Sequence, residues 1–231
     1  MKTPISEVYN EDCLEGMKRL PDNYFDLAIV DPPYGIGENG SRNHTRGKIA
    51  KSKNYKAFAG FDIEPPSNDY FKELFRVSKN QIIWGANHFI SRMPFDSSCW
   101  IIWDKQNGET DFADCELAFT SFKSAARKFQ FRWQGMLQGN MQNKENRIHP
   151  TQKPIALYNW LLENYAKQGD KILDTHLGSQ SSRIAAYKKG FDFWGWEIDN
   201  DYFNQGNERF QKSIAMPLFD APVQPKQLSL I

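Results

Sequence analysis

A chain of 231 residues with 40% hydrophobic and 14% aromatic content can bury one sizeable core, which fits a single α/β domain carrying a small inserted lobe. No apolar segment approaches the roughly 20 residues that cross a bilayer, and the start "MKTPISEVYNEDC" lacks the basic and apolar regions of a signal peptide, so a cytoplasmic protein is expected. A net charge of +1 excludes a histone-like binder while permitting a local basic face; Cys13, Cys99 and Cys115, in no metal-ligand spacing, argue against a zinc site or a disulfide framework and read as buried thiols.

In chain order, residues 5–9, 14–20 and 25–30 read as strand, helix and strand, a βαβ pattern with parallel strands. Asp12 and Asp31 follow those strands, at the edge where open parallel sheets bind ligands, so the two acids are expected to share a site. Residues 38–58, with Arg42, Arg46, Lys48, Lys51, Lys53 and Lys56 and almost nothing apolar, read as a long mobile loop whose charge suits a phosphate backbone. "SNDYFKELFRVSK" reads as a helix capped by Ser67 or Asn68, with Phe71, Leu74 and Phe75 on its apolar face. "QIIWGA" and "CWIIWDK" read as strands, "DCELAFTSF" and "RKFQFRW" as the strands of a hairpin, and residues 134–149 as a loop or small lobe. A helix stopped by Gly169, the strand "KILD", a helix stopped by Gly190, the strand "FDFWGWEID" and a last helix "DYFNQGNERFQKSI" follow, with an extended tail from Met216.

Four stretches bring together residue types that chemistry needs. Asp31-Pro32-Pro33-Tyr34 ends a core strand on a carboxylate. Its prolines fix φ and remove N–H donors, leaving carbonyls to face a cleft, and Tyr34 adds a flat ring: together a receptor for a planar group bearing NH2. A plain strand-ending turn would account for the prolines alone. "DTHLGSQSS", from Asp174, follows a strand and opens a helix, so backbone around Gly178 and Ser179 meets a helix N-terminus as nucleotide-type cofactors require. In "HPTQKP", from His149, Thr151 is placed to cap the next helix and Lys153 to meet a carboxylate. Glu197 ends a strand where an acid accepts ribose hydroxyls in dinucleotide folds.

Together these words resemble the DPPY-type amino-methyltransferases of DNA. The DPPY stretch precedes the loop at Asp174, similar to the cofactor loop DPFxGSG, and that order resembles the circularly permuted β class. The resemblance runs from about residue 5 to 210. It implies an α/β, Rossmann-like methyltransferase fold with a permuted mixed sheet and helices on both faces, one catalytic domain over 1–215, a target-recognition insert at 104–148 and a tail at 216–231. It implies transfer of a methyl group from S-adenosylmethionine to the N6 amine of an adenine flipped out of double-stranded DNA, in the manner of restriction-modification enzymes and with no metal. Asp31 and the Pro32 carbonyl would accept the amine hydrogens, Pro33 stiffen the turn and Tyr34 stack on the base. The cofactor would meet Asp12 and Cys13 after the first strand, Asp31, Thr151 and Lys153, the loop residues Asp174, His176, Gly178 and Ser179, and Glu197 with Ile198. DNA would meet the basic loop and Arg127, Lys128 and Arg132.

The chain departs from the family loop at Thr175, His176 and Gln180; Gln180 adds a side chain where glycine normally lets backbone approach the cofactor. Two other readings stay open: N4-cytosine methylation, whose enzymes more often carry serine in place of Asp31, and a non-catalytic DNA-binding relative. A homodimer fits the short insert. The terminal "QLSLI", from Gln227 to Ile231, resembles peptides that dock on the bacterial sliding clamp.

Overall fold

The computed structural model describes residues 3–37, 64–108, 113–134 and 137–215. The basic stretch with Arg42, Arg46, Lys48, Lys51 and Lys53, and the tail with Gln227 to Ile231, lie outside the described residues.

β1 (Ser6–Tyr9) leads into α1 (Cys13–Lys18), which is capped by Asp12, its Oδ1 accepting from the Leu14 amide at 2.7 Å. β2 (Phe25–Val30) is almost wholly buried, as its unbroken apolar run requires of a central parallel strand. α2 (Asn68–Val77), capped by Ser67, runs straight into β3 (Ser78–Trp84), followed by short 3-10 turns at Ala86–His88 and Ile90–Arg92. Next come β4 (Ile101–Asp104), β5 (Cys115–Thr120), β6 (Arg127–Gln130) and the short strands β7 (Trp133–Gln134) and β8 (Leu137–Gln138). The last part alternates α3 (Ile155–Tyr165), β9 (Lys171–Asp174), α4 (Ser181–Lys188), β10 (Asp192–Trp196) and α5 (Asn200–Ala215).

Eight strands form one mixed sheet in the order β1-β10-β9-β2-β3-β5-β4-β6, while β7 and β8 pair separately. The five strands from β1 to β3 are mutually parallel; β5 runs antiparallel to both β3 and β4, and β6 is parallel to β4. The hairpin expected from "DCELAFTSF" and "RKFQFRW" is therefore not formed, because β4 lies between β5 and β6. Ile101 and Trp103 are 0% and 1% exposed and make β4 an interior strand, whereas exposed Arg127, Lys128 and Gln130 suit β6 to the edge. Within the span 104–148, β5 and β6 thus belong to the main sheet. Cys115 is another correction: it is exposed on β5, while Cys99 is buried and Cys13 half-buried.

Helices cover both faces. Leu157, Leu161 and Ala185 of α3 and α4 close over Leu27, Trp84 and Ile172, and on the other face Met17, Phe71 and Leu74 of α1 and α2 close over Phe25, Ala28 and Val30. Full burial of such side chains contributes about 1.5–3 kcal/mol each. α1 seats tightly because residue 16 is glycine; a Cβ there would lie 2.3 Å from the Trp196 indole. No helix among the described residues is long and apolar enough to cross a membrane.

The register sets the site. Tyr9 pairs with Trp196 and Ala28 with Leu173, so Asp12, Asp31, Asp174 and Glu197 leave four parallel strands at one edge of the sheet.

Candidate active site

On the β9–β10 side, Glu11, Asp12, Cys13, Thr175, His176, Glu197 and Ile198 line a cleft of about 90 Å³. That is below the roughly 300–1,000 Å³ of small-molecule sites, so the cleft is too small to enclose a whole ligand of that kind. Glu197 is 4% exposed and is held by backbone amides, Oε2 accepting from Gly178 at 2.7 Å and Oε1 from Asp199 at 2.9 Å. Burial pushes its carboxyl up, and these bonds draw it back only in part. Beside it Ile198 is 59% exposed, an uncovered apolar side chain at the mouth. Burial next to Asp12 pushes the Cys13 thiol up to about 12, which leaves it inert as a nucleophile at neutral pH.

Asp174, 2% exposed, accepts from Ser182 Oγ at 2.5 Å and from the His176 amide at 3.0 Å, and burial pushes its carboxyl up to about 7. The His176 ring is fixed by Thr175 Oγ1 at 2.9 Å and meets the Tyr70 ring edge-on; burial lowers it to about 4, so it is neutral at pH 7. Gly178 has φ +47 and Gln180 has φ +58, the left-handed region that favours glycine. Gln180 accommodates it by turning away from the loop. Its amide nitrogen donates to the Phe203 carbonyl and to Asn207 Oδ1, both at 3.3 Å, and its oxygen accepts from Arg183 Nη1 at 2.8 Å. α5 makes room by having glycine at position 206, where a Cβ would sit 2.7 Å from the Gln180 side chain. The Gln180 side chain thus packs under the loop, on the α5 side.

On the β2 side the arrangement is ionic. Asp31 Oδ1 accepts from Tyr34 Oη at 2.8 Å, and Oδ2 lies 2.5 Å from Lys153 Nζ. Lys153 also donates to Tyr34 Oη at 3.1 Å and lies 3.0 Å from Glu116 Oε2, while Glu116 Oε1 pairs with Lys105. Burial pulls the Lys153 ammonium down, but Asp31 and Glu116 together hold it above the ordinary lysine range. Glu116 is pushed up by burial and drawn down to about 2 by Lys153 and Lys105. Asp31 stands above the carboxylate range because of burial and the Glu116 charge, against the pull of Lys153. The Tyr34 ring stacks on exposed His88 at 5.1 Å and lies against Gly85, where a Cβ would fall 2.0 Å from it. Glu116 went unnoticed in the sequence, although an acid inside the apolar run "CELAFT" signals a buried charge that needs a partner.

The segment from His149 bridges the two sides. The His149 ring packs over Gly178 and edge-on to Tyr202, and burial lowers it to about 3. Thr151 turns its amide and hydroxyl to His149 Nδ1 and does not cap α3. That role falls to Glu145, whose Oε1 accepts from the Ile155 amide at 2.8 Å and whose Oε2 pairs with Arg209 of α5 at 2.6 Å. Arg209 also reaches the Ser179 carbonyl at 2.6 Å, tying the loop to this segment. Lys153 points to Asp31, away from the cleft beside Glu197.

Strand direction separates the basic residues. β4 and β6 run in the sense of β3, so Arg132, just beyond β6, stands at the edge that carries Asp31, whereas Arg127 starts the strand at the opposite edge. Lys128 lies 3.4 Å from Asp104 Oδ2.

A family model described as DNA methylase (N6_N4_Mtase) matches residues 79–208, more than half the chain. Among curated proteins the chain is similar to the type II methyltransferase M.HinfI of Haemophilus influenzae, 24% identical over 263 residues, which cover 92% of this chain and 71% of that protein. Among solved structures it is similar to the putative DNA modification methylase TTHA0409 of Thermus thermophilus in complex with S-adenosyl-L-methionine, with TM-score 0.59 and 18% identity over 91% of this chain and 97% of that one. The PvuII DNA methyltransferase (cytosine-N4-specific) shares the fold with TM-score 0.57 at 11% identity, over 91% of this chain and 92% of that one.

Proposed function

The chain belongs to the DNA methylase family, and we propose that within it the reaction is transfer of a methyl group from S-adenosylmethionine to the N6 amine of adenine in double-stranded DNA. One observation carries this reading: Asp31-Pro32-Pro33-Tyr34 leaves β2 beside the Gly178 loop of β9, at the edge that also holds Asp12 and Glu197. The residues present fit the cofactor. Glu197 offers a buried carboxylate for ribose hydroxyls, exposed Ile198 an apolar surface for a ring, and Asp12 and His176 polar groups at the same cleft. When bound, the cofactor supplies an electrophilic methyl on a sulfonium.

An adenine amino nitrogen is a poor nucleophile because its lone pair is delocalised into the ring. Asp31 and the Pro32 carbonyl, accepting one amine hydrogen each, favour a more pyramidal nitrogen and orient its lone pair, and the carboxylate stabilises the positive charge that builds on nitrogen. Asp31 is not required to deprotonate the amine beforehand, since the proton becomes acidic only as the new N–C bond forms. Tyr34 supplies a ring face that offsets part of the few kcal/mol needed to take a base out of the helix. Arg132, at the same edge, would contact a phosphate.

The test is transfer of labelled methyl to unmethylated DNA, with nucleoside analysis of the product. Label in N6-methyladenine that is absent with Asp31→Ala supports the reading; label in N4-methylcytosine overturns the choice of base, and no label overturns the activity.

A further inference from the structure

Lys153 is the most deeply buried cation at this edge, its side chain 4% exposed, and it is shared among three oxygens on two segments, the turn that follows β2 and the strand β5: Asp31 Oδ2 at 2.5 Å, Tyr34 Oη at 3.1 Å and Glu116 Oε2 at 3.0 Å. The ammonium hydrogen-bonds Tyr34 Oη and stands in ion-pair contact with both carboxylates. Glu116 is in turn pinned by Lys105 on its other oxygen, and the four charges cancel. Such a network is costly to bury, and removing one member leaves a buried charge without its full balance.

We propose that Lys153 and Glu116 are positioning residues for methyl transfer, Lys153 keeping Asp31 an ionised acceptor for the target amine and Glu116 balancing the Lys153 charge so that this charge does not oppose the positive charge that builds on the amine. The proposal rests on the reading that Asp31 receives the amine. A carboxyl group buried without a counter-ion takes up a proton, and a protonated carboxyl donates at the oxygen where the amine needs an acceptor. A lysine paired with Asp31 alone would raise the opposite difficulty. It would oppose the positive charge that grows on the amine nitrogen. Glu116, 3.0 Å from Lys153 on β5, offsets this by balancing its charge.

The groups that face this pair are few. Tyr34 follows β2, Tyr70 lies on α2 and Tyr158 on α3, all held protonated by burial. Lys105 follows β4, and His149, four residues before Lys153, is held neutral by burial. Asp174 on β9 titrates near 7 and acts on Asp31 through its charge. It is common to every variant below, so it drops out of the comparison.

The experiment is the pH dependence of kcat/KM for labelled methyl transfer from pH 5 to 9, in wild type, K153M, K153R and E116Q, each checked for folding by thermal melting. Loss of a neighbouring opposite charge moves a carboxyl by about one pH unit or more. The acid limb of K153M is therefore expected about one unit or more higher than that of wild type, and that of K153R unmoved. The limb of E116Q is expected lower, with kcat reduced by about tenfold, since Lys153 is then left to Asp31 alone. Equal losses at every pH in K153M and E116Q would mark a purely structural role and overturn the proposal. A second readout needs no DNA: the infrared spectrum of folded K153M at pH 6, minus that of the D31N K153M double variant, should show a protonated-carboxyl band over the Asp174 background common to both, and absence of that difference band counts against the proposal. If K153M does not fold, the direction of the E116Q limb decides. No transfer by wild type would refute the assigned reaction, while the infrared band still reports whether Lys153 holds Asp31 ionised.

Discussion

The two halves of the site edge hold their carboxylates by opposite means. Around β9 and β10, Asp12, Asp174 and Glu197 accept from amides and a hydroxyl close by in the chain or just across the loop, with no cation among their hydrogen-bond partners in the described residues. At the end of β2, Asp31 depends on an ammonium 122 positions away in sequence, itself held by an acid on β5. Backbone amides cannot leave when a ligand arrives, so they suit a constant, preformed cradle. A shared lysine can redistribute between two acids, which suits the proposed entry of a neutral amine and the positive charge that would build on it.

Asp31→Ala should produce the largest effect, a fall in methyl transfer of about a thousandfold measured by labelled product, because it removes the acceptor aimed at developing charge. Comparable loss from a change at Asp12 alone would erase the contrast between the halves. Next, Arg209→Ala should destabilise the fold by about 3–5 kcal/mol in urea denaturation, as it leaves Glu145 buried without its partner and frees the loop at Ser179. The amide-held half predicts a pH effect of its own. The Asp174 carboxyl stands at about 7 in the fold against an ordinary 3.8, so the native state holds the proton more tightly. The Asp174 contribution to stability should then slope downward as pH rises from about 4 to 7, by on the order of a few kcal/mol, against the opposite contribution of His149 and His176, whose lowered values favour the fold as pH rises. Asp174→Asn should lose that slope in melts taken across the range. The smallest change is expected for Gln180→Gly: relief of the left-handed backbone offsets the lost side-chain bonds, leaving stability within about 1 kcal/mol and S-adenosylmethionine binding, by calorimetry, unchanged. Tighter binding by that variant would show that Gln180 does reach the cofactor.

The contrast also explains what could be read from the chain. β2, β9, the Gly178 loop and Glu197 are written in short words whose partners are near neighbours or paired strands, so periodicity and turn residues suffice to find them. The glutamine at 180 looked obstructive because the sequence does not reveal that Gly206, on a later helix, opens space for it. The order of β4, β5 and β6 escaped for a related reason: adjacent strands look like a hairpin unless the greater burial of Ile101 and Trp103 is known. Thr151 looked like a cap because serine and threonine commonly are, yet Glu145 reaches in from ten residues before the helix. Lys153 was expected to meet a carboxylate, and in the fold it meets Asp31, a partner that nothing local in the sequence identifies.

The insertion of β9 between β10 and β2 has a consequence for how the molecule comes into being. Leu173 must find Ala28, and Phe193 must find Ser6, so these rungs of the sheet join segments made far apart in synthesis. Loop closure over such separations is slow, and folding rates fall as contacts become less local. A nascent chain that has emerged through β6 holds Asp31 on a strand with one flank still open, so the edge that gathers all four acids assembles only after β9 and β10 have been made.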